Sequence, residues 1–238
     1  MTPIDVHDQT PTSVLAIYAH PDDADVAAAG PLARWAKEGA SITLVIMTDG
    51  GRGTPRSDLS PVRLAEQRRE ELEAACAITG VTPRCIGLGD GEIENTQELR
   101  ADLVRLIRTE RPQVIVSHDP TAVFFGEHYF NHHDHRALGW AVLDAAAPMA
   151  ALPHYFSEAG DPHLVSEVLL SGTLEPNCVI DIASYIDAKI SAVSCHRSQF
   201  DDDGSGQIAE VLRLRAIEDG RRGGLAMAEG FRRLRPNG

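Results

Sequence analysis

Cysteine is scarce in this chain: four in 238 residues, Cys76, Cys85, Cys178 and Cys195, without the paired spacing of a structural metal knuckle. They read as reduced, mostly buried thiols, which sets aside a disulfide scaffold and leads us to expect a cytoplasmic protein. Basic residues are also in deficit, 22 Lys and Arg against 35 Asp and Glu, for a net charge of −13. Such a surface repels polyanions, which argues against nucleic acid and against an anionic membrane as partners. No apolar run approaches the roughly 18 residues of a membrane span. The first thirteen residues are polar, carry Asp5 and Asp8, and lack the basic-then-apolar pattern of a secretory leader. No repeat, low-complexity tract or long linker divides the remainder of the chain.

What is present is an alternation of short apolar runs with amphipathic stretches. At 43% hydrophobic residues the chain can bury one large core. Residues 1–13 are assigned to an N-terminal extension and 14–238 to a single domain. Residues 14–17, 41–48 and 113–117 are continuous and apolar, as strands buried on both faces are. Shorter strands are expected at 84–88, 165–170 and 178–182. Helices are expected at 25–38 with Gly39 as stop, at 60–79 with Gly80 as stop, and at 96–108, where Leu99, Leu103, Leu106 and Ile107 share a face. Others are expected from His132 to about Ala147, at 184–193, and, closing the chain, at 207–215 and 224–234. Strands separated by helices predict an α/β, Rossmann-like, mostly parallel sheet with helices on both faces.

Ligands of such a sheet bind beyond the carboxyl ends of its strands, beside a switch in strand order. Here the first strand ends at His20, the second at Asp49 and the third at His118-Asp119, so polar residues converge on one rim. The densest stretch is Tyr18-Ala19-His20-Pro21-Asp22-Asp23. Its proline fixes the local backbone and drives His20 towards extended geometry, so the turn can aim His20 and Asp23 at one point while Asp22 faces elsewhere. Capping of the next helix is the plainer role for the two aspartates. A second group is Asn131-His132-His133-Asp134-His135, where His132 and His135 share a helix face and His133 points away. Five of the ten histidines, His118, His128, His132, His133 and His135, fall in this one region. His20, Asp23 and His135 give two imidazoles and a carboxylate, the donor set of a catalytic zinc with an open position. The same set suits a non-haem iron oxygenase, and a polar histidine loop capping a helix is the simpler alternative.

His20-Pro21-Asp22-Asp23, Thr48-Asp49-Gly50, Arg68-x-x-Glu71 with Ala74-Ala75 and Gly80-Val81, and His132-x-Asp134-His135-Arg136-Ala137 occur in this order. Together they resemble the motifs of the PIG-L/LmbE-like zinc-dependent N-deacetylases. Ala192-x-x-x-His196-x-Ser198-Gln199 is similar to a further segment of that family, so the resemblance runs from about Val14 to Gln199. One departure stands out: the second motif usually reads His-Pro-Asp-His, and here the proline is His133. The resemblance implies zinc, with Fe2+ as the alternative ion, held by His20, Asp23 and His135, and Asp22 as general base. It implies that His132 stabilises the oxyanion and carries a proton. A helix dipole disfavours imidazolium at that position, so Asp134 is expected as its compensating carboxylate. Arg68 and Asp49 are implied near the substrate, with a solvated helix charge as the plain alternative for Arg68. The implied activity removes an N-acetyl or other N-acyl group from a small aminosugar conjugate. Amidase action on larger thiol-sugar S-conjugates is the alternative. A non-catalytic metal- or sugar-binding protein would leave Asp22 without a task. A homo-oligomer is left open.

Other features carry less. Gly50-Gly51-Arg52-Gly53 allows close approach to a phosphate or sugar, though most such loops are turns. Phe124, Phe125, Tyr129 and Phe130 are four of the twelve aromatics, readable as a sugar wall, a lid or, more simply, anchors into the core. Asp201-Asp202-Asp203 with Gly204-Ser205-Gly206 reads as a solvated turn, and His196 as a structural histidine.

Overall fold

In the computed structural model, which describes residues 4–200 and 205–236, strands and helices alternate as their apolar periods require. The strands are β1 (Asp5–Val6), β2 (Ser13–Tyr18), β3 (Ser41–Thr48), β4 (Thr82–Leu88), β5 (Val114–His118), β6 (Phe124–Phe125), β7 (Tyr129–Phe130), β8 (Glu167–Ser171), β9 (Cys178–Asp181) and β10 (Ala228–Leu234). The helices are α1 (Asp23–Lys37), α2 (Pro61–Thr79), α3 (Gln97–Glu110), α4 (His133–Asp144), α5 (Ile186–Val193) and α6 (Ser205–Gly223).

Successive residues of β2 point to opposite faces, and both faces are covered. Leu15 and Ile17 pack with Val45, Met47 and Ile115 against Leu103 of α3 and Leu138 of α4. Val14, Ala16 and Tyr18 pack with Leu44, Ile46 and Val116 against Leu32 of α1 and Leu72 of α2. The sheet runs β1-β9-β10-β8-β5-β2-β3-β4, with β8, β5, β2, β3 and β4 parallel. From β2 the chain steps to β3 on one side and later returns to β5 on the other. The switch in strand order therefore lies between β2 and β5, and a crevice opens over their carboxyl ends.

Four expectations change. The helix expected at 224–234 is instead β10. Gly224, at φ 72°, ends α6, and the chain then enters the sheet antiparallel to both β8 and β9. Ala228 and Phe231 are fully buried, and apolar residues three apart suit a helix as well as a strand. What decides is the gap between the edges of β8 and β9, which a strand fills and a helix cannot. Second, the expected N-terminal extension contributes β1, which pairs with β9. Third, α6 extends beyond 207–215 at both ends; of the turn expected at 201–206, residues 201–204 lie outside the described residues and Ser205-Gly206 open α6 instead. Fourth, the loop at 118–131 contains a hairpin, β6–β7.

At the opposite end of the sheet from the crevice, Arg108 closes α3. It is buried, and its guanidinium donates to six backbone carbonyls, those of Met149, Ala150, Leu152, Tyr155, Phe156 and Gly160. One side chain thus organises the segment after α4.

Candidate metal centre

The turn after β2 delivers His20, the first residue of α1 is Asp23, and the first turn of α4 brings His135 across from the far side of the crevice. His20 Nδ1 lies 3.1 Å from Asp23 Oδ2 and 3.1 Å from His135 Nε2, and His135 Nε2 lies 3.1 Å from Asp23 Oδ1. Donors around a tetrahedral ion with bonds of about 2.0–2.1 Å stand roughly 3.3–3.4 Å apart. The two nitrogens stand close to that spacing with one Asp23 oxygen beside each, and His20 and His135 also group with His132 at ligand distance.

The outer hydrogen bonds turn the lone pairs inwards. His135 Nδ1 meets Asn131 Oδ1 at 2.9 Å, an oxygen that only accepts, so Nε2 is left bare towards the centre. His20 Nε2 faces two carboxylates, Asp90 at 3.2 Å and Asp134 at 3.3 Å, which leaves Nδ1 as its donor atom. Asp134 is itself completely buried and accepts the backbone N–H groups of Gly91 and Ile93.

The carboxylates set the protonation of this cluster. Burial alone would lower His20, but Asp23, Asp134 and Asp90 outweigh it and push the imidazole up to about 12. Burial would raise Asp23; His135, His20 and His118 instead hold it well below the usual carboxylate range. His118 also groups with Asp23 and His135 at ligand spacing. Its Nε2, however, accepts the Ala19 N–H at 3.1 Å, and burial followed by the nearby His135 lowers it to about 4. It is a neutral wall whose lone pair is already engaged, stacked 4.0 Å from the His135 ring.

Asp22 turns away from this centre. Its Oδ1 accepts from Arg68 Nη2 at 2.5 Å, and Arg68 Nη1 donates to the Gly50 carbonyl at 2.9 Å. Arg68 is only 3% exposed. The glycine-rich loop wraps it: a Cβ on Gly50 would stand 2.6 Å from Nη1, and one on Gly53 2.7 Å. That loop therefore cradles a guanidinium of this chain, not a phosphate. Asp49, exposed at the rim, accepts the Gly51 N–H at 2.9 Å.

His132 is the N-cap of α4, its Nδ1 accepting the Asp134 N–H at 3.2 Å. Its ring proton is thereby assigned to Nε2. The pairing expected between His132 and the Asp134 carboxylate is not formed: the nearest approach is 4.0 Å, and the carboxylate serves His20 instead. Burial, then His20 and His135, lowers His132. The ring is therefore neutral.

Residues 15–146 match the model of the PIG-L family, GlcNAc-PI de-N-acetylase. The chain is 34% identical over 224 residues to a diacetylchitobiose deacetylase of Thermococcus kodakarensis, covering 92% of this chain and 82% of that protein. The chain belongs to the PIG-L family. A 1D-myo-inositol 2-acetamido-2-deoxy-α-D-glucopyranoside deacetylase of a Nocardioides species is 28% identical, with 89% and 94% of the two chains covered. The solved structure of N,N'-diacetylchitobiose deacetylase from Pyrococcus horikoshii superposes with a TM-score of 0.87 at 30% identity, over 95% of this chain and 85% of that one.

Of the residues singled out from the motifs, His20, Asp23, Asp134 and His135 meet directly, His132 caps the helix that carries two of them, Asp22 is held by Arg68, and Asp49 stands apart at the rim. His133 is exposed and off the centre, as its helix position requires. Three of the four aromatics are not core anchors: Phe124, Tyr129 and Phe130 are 71%, 54% and 68% exposed on the hairpin beside His132, while Phe125 is half-buried. Sequence reasoning missed Asp90, His118 as a wall, and Asn131 as the orienter of His135. Asp90 stands in a loop without neighbouring ligands. The signal for His118 was present, a histidine ending the strand next to β2. Among the described residues no helix is long and apolar enough to cross a membrane.

Proposed function

We propose that this protein is a zinc-dependent N-deacetylase acting on an N-acetylglucosamine unit in a small glycoside or disaccharide. The observation that carries the reading is that His20, Asp23 and His135 approach one another pairwise to 3.1 Å, with a second carboxylate, Asp22, next in sequence to Asp23. Two imidazoles and one carboxylate suit zinc with an open position. Relatives named for diacetylchitobiose and for an inositol glycoside of 2-acetamido-2-deoxyglucose support the substrate class.

His20, Asp23 and His135 hold the ion, while Asn131, Asp134 and Asp90 fix the two imidazoles. When bound, zinc supplies Lewis acidity, polarising the amide carbonyl and bringing water towards a pKa of about 7. Asp22 is the general base. With Oδ1 engaged by Arg68, its Oδ2 takes the proton of the attacking water and returns it to the departing amine. His132 donates from Nε2 to the carbonyl oxygen as negative charge builds there; a neutral donor needs no compensating carboxylate. Asp49 is the rim acceptor for a sugar hydroxyl, and Arg68 acts through Asp22.

The test is Asp22→Asn, assayed for acetate and free-amine release from diacetylchitobiose and from a 2-acetamido-2-deoxyglucoside of inositol. Metal content is measured alongside. The variant keeps its metal and loses about 10²–10⁴ in kcat, the usual contribution of a positioned base. Parent turnover with metal bound refutes the mechanism. Amine release without acetate shifts the reading to a larger-amide amidase.

A further inference from the structure

The motif at 192–199 takes no part in the hydrolysis itself, yet it touches both helices that aim Asp22. α1 starts without the usual pin. Asp22 holds the N-cap position but makes no side-chain cap bond, because its carboxylate is turned to Arg68. The first turn is fastened from elsewhere. His196 Nε2 lies 2.8 Å from Asp25 Oδ2, across 171 residues of sequence, and both side chains are buried. Its Nδ1 is buried and without a partner among the described residues, so the ring proton belongs on Nε2 and is donated to Asp25.

Two residues on, Ser198 donates its N–H and Oγ to the two carboxylate oxygens of Glu71, at 2.9 and 2.6 Å. Glu71 sits one turn along α2 from Arg68, on the same side. Next, Gln199 Oε1 would stand 3.3 Å from a Cβ on Gly53, the glycine that also closes over Arg68. One short segment is thus tied to the helix that carries Asp22 and to the helix that orients it. We propose that His196 is a positioning residue for the reaction: through Asp25 it fixes the first turn of α1, and with it Asp22 and Asp23. Ser198 does the same for Arg68 through Glu71.

The activity readout rests on the deacetylase reading; the metal readouts do not. His196→Leu, His196→Gln and Ser198→Ala are loaded with Co2+ and compared with the parent below their melting temperatures. The readouts are the visible Co2+ spectrum, Co2+ affinity by chelator competition, and kcat and KM. His196→Leu weakens Co2+ binding and lowers kcat by about 10-fold, the lower end of what loss of a ligand's own hydrogen-bond partner costs because Asp25 stands between, with an altered spectrum and KM within about twofold. His196→Gln keeps a donor near the Nε2 position and recovers most of both. A Leu variant that melts earlier but keeps the parent spectrum, affinity and kcat overturns the proposal and leaves His196 merely structural. If His196→Leu does not fold, Ser198→Ala decides: a fall in kcat of about 10-fold supports the strap, and parent kcat overturns it. A parent that binds Co2+ but releases acetate from no conjugate sinks the deacetylase reading alone.

Discussion

Replacing Arg68 by lysine separates two roles that one arginine could have in this crevice. The guanidinium forks, one arm on Asp22 and the other on the Gly50 carbonyl, inside a cradle of glycines. A lysine keeps the charge but not the fork, and its single ammonium cannot occupy both positions in that geometry. The loss is one charge-assisted hydrogen bond, worth about 1.5–3 kcal/mol. If that energy serves to aim Asp22, it appears in the transition state, and 1.36 kcal/mol per decade converts it to a fall in kcat of roughly 10- to 100-fold. KM then barely moves, because Arg68 is 3% exposed and meets no substrate. Steady-state kinetics on diacetylchitobiose, with metal content and melting temperature as controls, read this directly. A tenfold rise in KM at parent kcat would falsify the assignment and make Arg68 a substrate contact reached by opening the 49–53 loop.

His20→Ala, Asp23→Ala and His135→Ala each lose the metal while His133→Ala keeps it, as elemental analysis will show; full occupancy in all four removes the metal centre. In the metal-free protein His20 is raised from 6.5 to about 12. A raised group contributes stability that is complete below 6.5 and lost as pH climbs through about 12. Metal-free protein therefore weakens between about pH 7 and 9, by at most about 1.36 kcal/mol per unit for one proton. Metal displaces that proton, so affinity rises about tenfold per pH unit; urea midpoints and metal affinities flat with pH contradict this. Arg108→Met strips the shared donor from six carbonyls. Carbonyls left without a donor cost about 1–3 kcal/mol each, so roughly 3–5 kcal/mol of stability is lost, or about 6–20 °C in melting temperature, with turnover at lower temperature unchanged. A drop of under about 2 °C shows that water replaces the guanidinium.

Much of the candidate site was legible because its proposed ligands are neighbours in sequence. His20, Asp22 and Asp23 share one turn, and His132, Asp134 and His135 share another, so local geometry already limits where each can point. The three central strands were legible for a related reason: buried on both faces, they read as unbroken apolar runs. The partnerships were not legible. Asp134 was expected to face His132 in its own helix turn, but its carboxylate reaches across the crevice to His20, a choice made by the packing of α4 on β2. Asp90 arrives only because β4 lies at the end of the parallel run. β10 escaped because Ala228 and Phe231, three apart, share a helix face in the sequence, and only the open edges of β8 and β9 impose a strand whose two faces they fill.

That strand also sets a timetable. β10 lies inside the sheet, hydrogen-bonded on both sides, yet it is made after every other strand among the described residues. A nascent chain that has reached residue 223 holds β8 and β9 with facing edges bare, and β1 paired to a β9 that is joined to no other strand. Two unsatisfied edges in an acidic, partly folded intermediate are a template for pairing with a neighbour on the polysome or for a chaperone to shield. The exposure ends only when residues 228–234 leave the exit tunnel and slide between them. Slowing translation within that stretch lengthens the hazardous interval, whereas a pause before β8 does not.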